Sequence, residues 1–285
     1  MSTAHTLLLG AIAGFTILLG LPIGRLPNTS PRIRCALSSV ATGVLIFLLW
    51  DVLGHGVEPV EESLLDAVDG GSWGDFVGFA FLFGGGLILG LMGLVYYARW
   101  MGGRRSSPLV GPGAAAVDEF DERARSRLAS LSPAARLALL IATGIGLHNF
   151  GEGLAIGQSA AAGELALAVA LIVGFGLHNA TEGFGIVGPM AADAERPSWR
   201  FLALLGLIGG GPTFLGTLLG QAWVNDALSV AFFAAAAGSI LYVVLELVHV
   251  NRRFAEPVLT TWMLLLGLFL GFATDFVLEA AELAS

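Results

Sequence analysis

Long, uninterrupted apolar runs alternate with short polar breaks along the whole chain. Eight runs stand out, at 5–24, 34–54, 76–98, 135–158, 165–189, 199–222, 227–249 and 257–280. At about 1.5 Å of rise per residue, each is long enough as a helix to cross a hydrocarbon layer ~30 Å thick. The breaks are charged or proline-rich: Arg25 to Arg34, Glu58 to Asp75, Arg99 to Ser132, Ala192 to Arg200, and Asn251 to Pro257. None of the runs shows the period-two alternation of a membrane barrel. The pattern therefore predicts an all-α, polytopic membrane protein with eight transmembrane helices, forming one transmembrane domain over 1–285.

Composition agrees with that pattern. Hydrophobic residues make up 55% of the chain and charged residues only 13%, with 40 glycines and a mean hydropathy of +0.80. A soluble domain carries about 25% charged residues. The net charge is −8, from 22 acidic and 14 basic residues, and every basic residue is Arg. An acidic excess argues against nucleic acid as a partner, which needs a basic face. The single cysteine, Cys35, can form neither an internal disulfide nor a thiolate cluster.

The positions of the arginines orient the spans. Arg25, Arg32 and Arg34 fall between spans one and two. Arg99, Arg104, Arg105, Arg123, Arg125, Arg127 and Arg136 lie between or flanking spans three and four. Arg196 and Arg200 fall between spans five and six, and Arg252 and Arg253 between spans seven and eight. All lie on one side, which the positive-inside rule makes cytoplasmic, so both termini are expected to be extracytoplasmic. The first run lacks the leading basic residues of a signal peptide, so it reads as an uncleaved span. The opposite side is acidic, with Glu58, Glu61, Glu62, Asp66, Asp69 and Asp75 between spans two and three. Residues 100–133, rich in Gly, Pro and Ser before a charged patch, read as a mobile cytoplasmic loop.

Two of the spans carry a repeated polar motif. GLHNFGEG at 146–153 in span four returns as GLHNATEG at 176–183 in span five. His148 and Glu152 lie at i, i+4, as do His178 and Glu182, so each helix presents an imidazole and a carboxylate on one face. Counting rise from the span ends, His148 and His178 lie about 18–20 Å into the layer, near the midplane. Ionisable groups at that depth are costly unless paired, neutralised or metal-bound, and they mark function. Two imidazoles with two carboxylates and no thiolate suit Zn²⁺, Fe²⁺ or Mn²⁺ better than Cu⁺, Ca²⁺ or Mg²⁺. Asn149 and Asn179, turned about 100° around the helix, are placed either to offer oxygens to a second ion or to hold the first ligands. The competing reading is a metal-free His–Glu network. The glycines around both motifs would allow helix distortion or close packing.

Other intramembrane polar residues suggest a route. Asp51 and His55 in span two and Asp275 in span eight fall near the acidic mouth. Glu246 and His249 in span seven fall near the arginine mouth. The tryptophans lie mostly near span ends, as an interfacial belt does.

The eight-span plan, the loop after span three and the paired HN-x-x-EG motifs resemble the ZIP family of divalent-metal transporters. That resemblance implies movement of Zn²⁺, and often Fe²⁺ or Mn²⁺, into the cytoplasm across a cell membrane. It implies His148, Glu152, His178 and Glu182 as ligands, with Asn149 and Asn179 at a second ion. It also implies motion of spans one, four, five and six against a scaffold of spans two, three, seven and eight, and a homodimer formed through that scaffold. The metal is then transported substrate, not cofactor, and the protein is not an enzyme. This chain departs from the family pattern at three places. Gly151 and Thr181 stand where the family motif has Pro, and Gly211 precedes Pro212 where many binuclear members have Glu. The alternative is an intramembrane metal-dependent hydrolase, which would need an open coordination position and a dedicated base.

Overall fold

The computed structural model describes residues 3–26, 30–101, 131–163, 165–192, 196–222 and 225–283. Among them, eight helical segments are long and apolar enough to cross a membrane, so the chain is a multi-pass membrane protein. Span one, Thr3–Arg25, joins the helix Thr3–Phe15 to a short turn of helix, Ile17–Gly20, and a 3₁₀ turn, Leu21–Arg25. Spans two, three and four are Pro31–Val68, Trp73–Met101 and Pro133–Ala162. Span five is the helix Leu165–Val187, continued by a 3₁₀ turn over Gly188–Ala192. Spans six, seven and eight are Trp199–Ala222, Asp226–Arg252 and Pro257–Leu283. The loop expected over 100–133 lies largely outside the described residues.

Local sequence sets the span ends. Ser30 and Ser132 each precede a proline at the first helical position and accept a bond from the backbone N–H three residues on, at 3.3 and 3.1 Å. Asn225 and Ser198 do the same for spans seven and six, at 3.0 and 3.1 Å. Each thereby satisfies one of the helix's orphan donors. Gly163 ends span four in the left-handed region, at φ 87°.

Span two differs from the sequence expectation. It does not stop near 54 but continues through Pro59 to Val68. Glu58, Glu61, Glu62 and Asp66 therefore sit on helix, and the break shrinks to a turn around Gly70, at φ 105°. The segment after Pro59 is rich in Glu and Leu, good helix formers, so the helix outlasts its apolar stretch.

The spans pack as two groups. Spans one, four, five and six form one, and spans two, three, seven and eight the other; the groups meet where span four touches seven and where span five touches two and eight. Within a group, backbones touch. A Cβ on Gly153 of span four would lie 2.1 Å from the Thr213 carbonyl oxygen of span six, and one on Gly43 of span two 2.0 Å from that of Leu264 in span eight. Glycine is needed for such close approach. Between groups the nearest neighbours are side-chain atoms: Cβ atoms on Gly151 and Gly185 would find them at 3.6 and 3.4 Å, and one on Gly144 would find Val243 Cγ2 at 2.5 Å.

Candidate metal centre

Spans four and five bring their motifs together in the interior. His148, Asn149, Glu152, His178, Asn179 and Glu182 are all buried, none more than 7% exposed. Both helices run unbroken through the motif, without the distortion the glycines would have allowed. The i, i+4 spacing sets each pair on one face, and the contact between the two spans makes those faces converge.

The geometry centres on one carboxylate. Glu152 Oε1 lies 3.0 Å from His148 Nε2 and in close contact with His178 Nε2. His148 Nε2 lies 3.8 Å from Glu182 Oε1. The two imidazole rings stand 6.3 Å apart, centroid to centroid. One donor atom each from His148, Glu152 and His178 fall within 4.8 Å of one another. Around a tetrahedral Zn²⁺ with bonds of about 2.0–2.1 Å, ligand atoms stand about 3.3 Å apart, so this cluster has the scale of an ion's coordination shell.

The asparagines tie the centre to neighbouring spans, and Asn179 also reaches into it, its Nδ2 donating to Glu152 Oε2 at 3.5 Å. Asn149 Nδ2 donates to the Gly209 carbonyl of span six at 2.9 Å, and Asn179 Nδ2 to the Ala13 carbonyl of span one at 3.2 Å. These bonds tie both motifs to the rest of their group. Several acceptors are then left without a partner although buried: both carboxylate oxygens of Glu182 and the Oδ1 atoms of Asn149 and Asn179. Buried acceptors without donors are costly, and a cation placed among them would satisfy them.

A cavity of roughly 680 Å³ leads to the cluster from the acidic end. His148 and Glu152 line its inner end; Asp51, His55, Glu58 and Asp275 line it farther out. His55 Nδ1 lies 3.0 Å from the Asp51 carbonyl oxygen and 3.8 Å from Asp51 Oδ1. The structure therefore joins the three residues expected at the acidic mouth to one cavity with the centre. It does not bring Glu246 and His249 there. His249 is exposed and pairs with Arg253 Nη2 at 3.0 Å, and Glu246 is half-buried away from the lining.

Sequence reasoning missed Gln158, Ser159 and Phe175 as lining residues, whereas Glu58 was among the acids it placed on that side. A signal for them exists in helical spacing. From span four the lining takes His148, Glu152, Ala155, Gln158 and Ser159; from span two, Leu48, Asp51, Val52, His55 and Glu58. Most steps are of three or four, so each helix gives one face. Continuing the helical step from each motif would have found them.

The fold and the cluster thus define a multi-pass helical membrane protein that buries two histidines and two carboxylates, of which His148 and Glu152 line a cavity. The model of the ZIP zinc transporter family matches residues 113–279, and the chain belongs to that family. No curated protein matches the chain. The family membership makes it a divalent-metal transporter and not an enzyme at the family level.

Proposed function

We propose that this protein carries divalent transition-metal ions, Zn²⁺ first and Fe²⁺ or Mn²⁺ also, across the cell membrane into the cytoplasm. His148, Glu152, His178 and Glu182 bind the ion, and Asn149 and Asn179 fix the two motifs. The carrying observation is the Glu152 carboxylate close to two histidines, beside the unpartnered carboxylate of Glu182, with His148 and Glu152 reached by the cavity.

The positive-inside assignment makes the cavity mouth extracytoplasmic. Asp51, His55, Glu58 and Asp275 concentrate cations there. The ion sheds water as it meets the centre, and its ligands bind it in deprotonated form. Toward the arginine end, buried Ala41 and Leu247 pack against Gly185, one turn beyond Glu182, and on this reading they close the path. Release then requires alternating access around the centre. Backbone contacts within each helix group and side-chain contacts between groups support movement of one group against the other. One ion occupies the centre, because Gly211, where a second carboxylate would be needed, instead lines an apolar groove with Phe15 and Leu215.

The test is uptake of radiolabelled Zn²⁺ into proteoliposomes. His148→Ala and Glu182→Ala should abolish saturable uptake while the protein still inserts and stays helical; unchanged uptake would refute the assignment. An intramembrane hydrolase draws no support from the family.

A further inference from the structure

A second polar cluster lies buried near the arginine end, beyond the closed side of the centre. Ser38, Ser39 and Thr42 of span two and Asn251 of span seven are each no more than 2% exposed. Asn251 Nδ2 donates to Thr42 Oγ1 at 2.9 Å, and Thr42 Oγ1 donates to the Ser38 carbonyl at 2.7 Å. Those two bonds leave Ser38 Oγ and Asn251 Oδ1 without partners. Two unpaired buried oxygens cost more than packing requires, since Ala and Leu would fill the same space.

The cluster lies in line with the centre. Gly185 and Gly188 follow Glu182 at steps of three, so they continue the ligand face of span five toward the arginine end. At helical rise they lie about 4–5 and 9–10 Å beyond Glu182. A Cβ on Gly185 would stand 3.4 Å from both Ala41 Cβ and Leu247 Cδ1. A Cβ on Gly188 would stand 3.2 Å from Ser38 Oγ. Ala41 follows Ser38 by three residues, and Asn251 follows Leu247 by four. The same two faces that close the path with Ala41 and Leu247 therefore turn polar one turn farther on.

The geometry points to a release station. Resting on the transport reading above, it assigns Ser38 Oγ, Asn251 Oδ1 and Thr42 Oγ1 as a weak, all-oxygen site that receives the divalent ion once Ala41 and Leu247 part from Gly185. Neutral hydroxyl and amide oxygens suit this step. A conducting path needs sites that bind well enough to be entered and weakly enough to be left. A carboxylate or imidazole there would hold the ion, whereas an apolar lining would leave it without replacements for the ligands it gives up at the centre.

A ligand-softness swap on the full chain in proteoliposomes tests this, with Cys35→Ser as the background. Cd²⁺ and Mn²⁺ are the probes, read by a trapped chelating dye. Thiolate holds soft Cd²⁺ far better than it holds Mn²⁺, so Ser38→Cys should cut maximal Cd²⁺ uptake at least ~10-fold and change Mn²⁺ uptake by less than ~2-fold. Asn251→Cys should show the same ion-selective loss, which keeps the test open should Ser38→Cys fail to fold. A structural role would move both ions together, so parallel losses, or no change with either ion, would overturn the release station. Uptake of neither ion by the folded Cys35→Ser protein would overturn the transport reading itself, and this inference with it.

Discussion

Glu152 and His178, from different spans, meet through one carboxylate oxygen, and the same oxygen lies 3.0 Å from His148 Nε2. Two imidazole nitrogens close to one carboxylate oxygen, one of them hydrogen-bonded to it, is an arrangement with an acid group already placed where a cation's shell would form. Glu152→Gln keeps the shape and removes that acid group. It should lower saturable Zn²⁺ uptake by at least ~100-fold, beyond the ~10–100-fold typical of an outer-shell partner. Circular dichroism should show helix content unchanged. Uptake within ~3-fold of the parent would place the ion elsewhere.

Glu182 sits differently, with both oxygens unpartnered and its nearest contact to the cluster 3.8 Å from His148 Nε2. It can close on an ion but does not build the cluster. Equilibrium dialysis in detergent should find one Zn²⁺ per chain. Glu182→Gln should keep that stoichiometry with affinity weaker by about 10-fold, near ~1.4 kcal/mol. A second equivalent ion per chain would show that the lost span-six carboxylate has been replaced by some other ligand.

Protons compete with the metal at this centre. Imidazole in its ordinary state titrates near ~6.5 and a glutamate near ~4.3. A protonated imidazole has no lone pair to give, so metal binding must release any proton it holds. Uptake at sub-saturating Zn²⁺ should therefore fall as the outside pH is lowered, through loss of apparent affinity with the maximal rate nearly kept. An apparent affinity that rises as pH is lowered would count against deprotonated ligands at the centre.

The outer cavity collects charge ahead of the centre, with Asp51, Glu58 and Asp275 along one wall set and His55 beside Asp51. None of these is in the central cluster. Asp51→Asn with Asp275→Asn should raise the KM for Zn²⁺ by about 3- to 10-fold, with maximal rate nearly kept, and the effect should shrink at high salt. A fall in maximal rate with KM unchanged would instead give these residues a role in the conformational step.

The eight spans were legible because hydropathy and length are read residue by residue, and the i, i+4 pairs were legible because helical spacing is local. What was hidden depended on neighbours. Span two outran its apolar stretch because Glu and Leu after Pro59 still favour helix, and hydropathy does not register that. Glu246 and His249 were expected at the arginine mouth, and only the structure shows that His249 is exposed there and bonded to Arg253. Depth can be counted along a chain, whereas the direction a helix faces is set by what it packs against. The asparagines show the same limit: sequence left them between ion ligand and scaffold, and only the bonds of Asn149 to Gly209 and of Asn179 to Ala13 and Glu152 show what their amides hold.

Gly151 and Gly153 of the span-four motif give the sharpest test of how that span is held. A Cβ on Gly153 would meet the Thr213 carbonyl oxygen at 2.1 Å and the Thr217 nitrogen at 2.8 Å, both backbone atoms that cannot swing away. A Cβ on Gly151, where the family's motif has Pro, would find Ala236 and Phe233 side-chain atoms no closer than 3.6 Å, an ordinary contact. Gly153→Ala must push spans four and six apart, costing about 1–3 kcal/mol as an overpacked core does. Gly151→Ala should be neutral or stabilise by up to ~1 kcal/mol, because Ala fills open space and favours helix. Thermal unfolding in detergent should lower the apparent midpoint by several degrees for Gly153→Ala and leave or raise it for Gly151→Ala. The functional readout should follow the same split, since span six braces the helix that carries His148 and Glu152. Equal destabilisation by both substitutions would mean that span four is not seated against span six through Gly153.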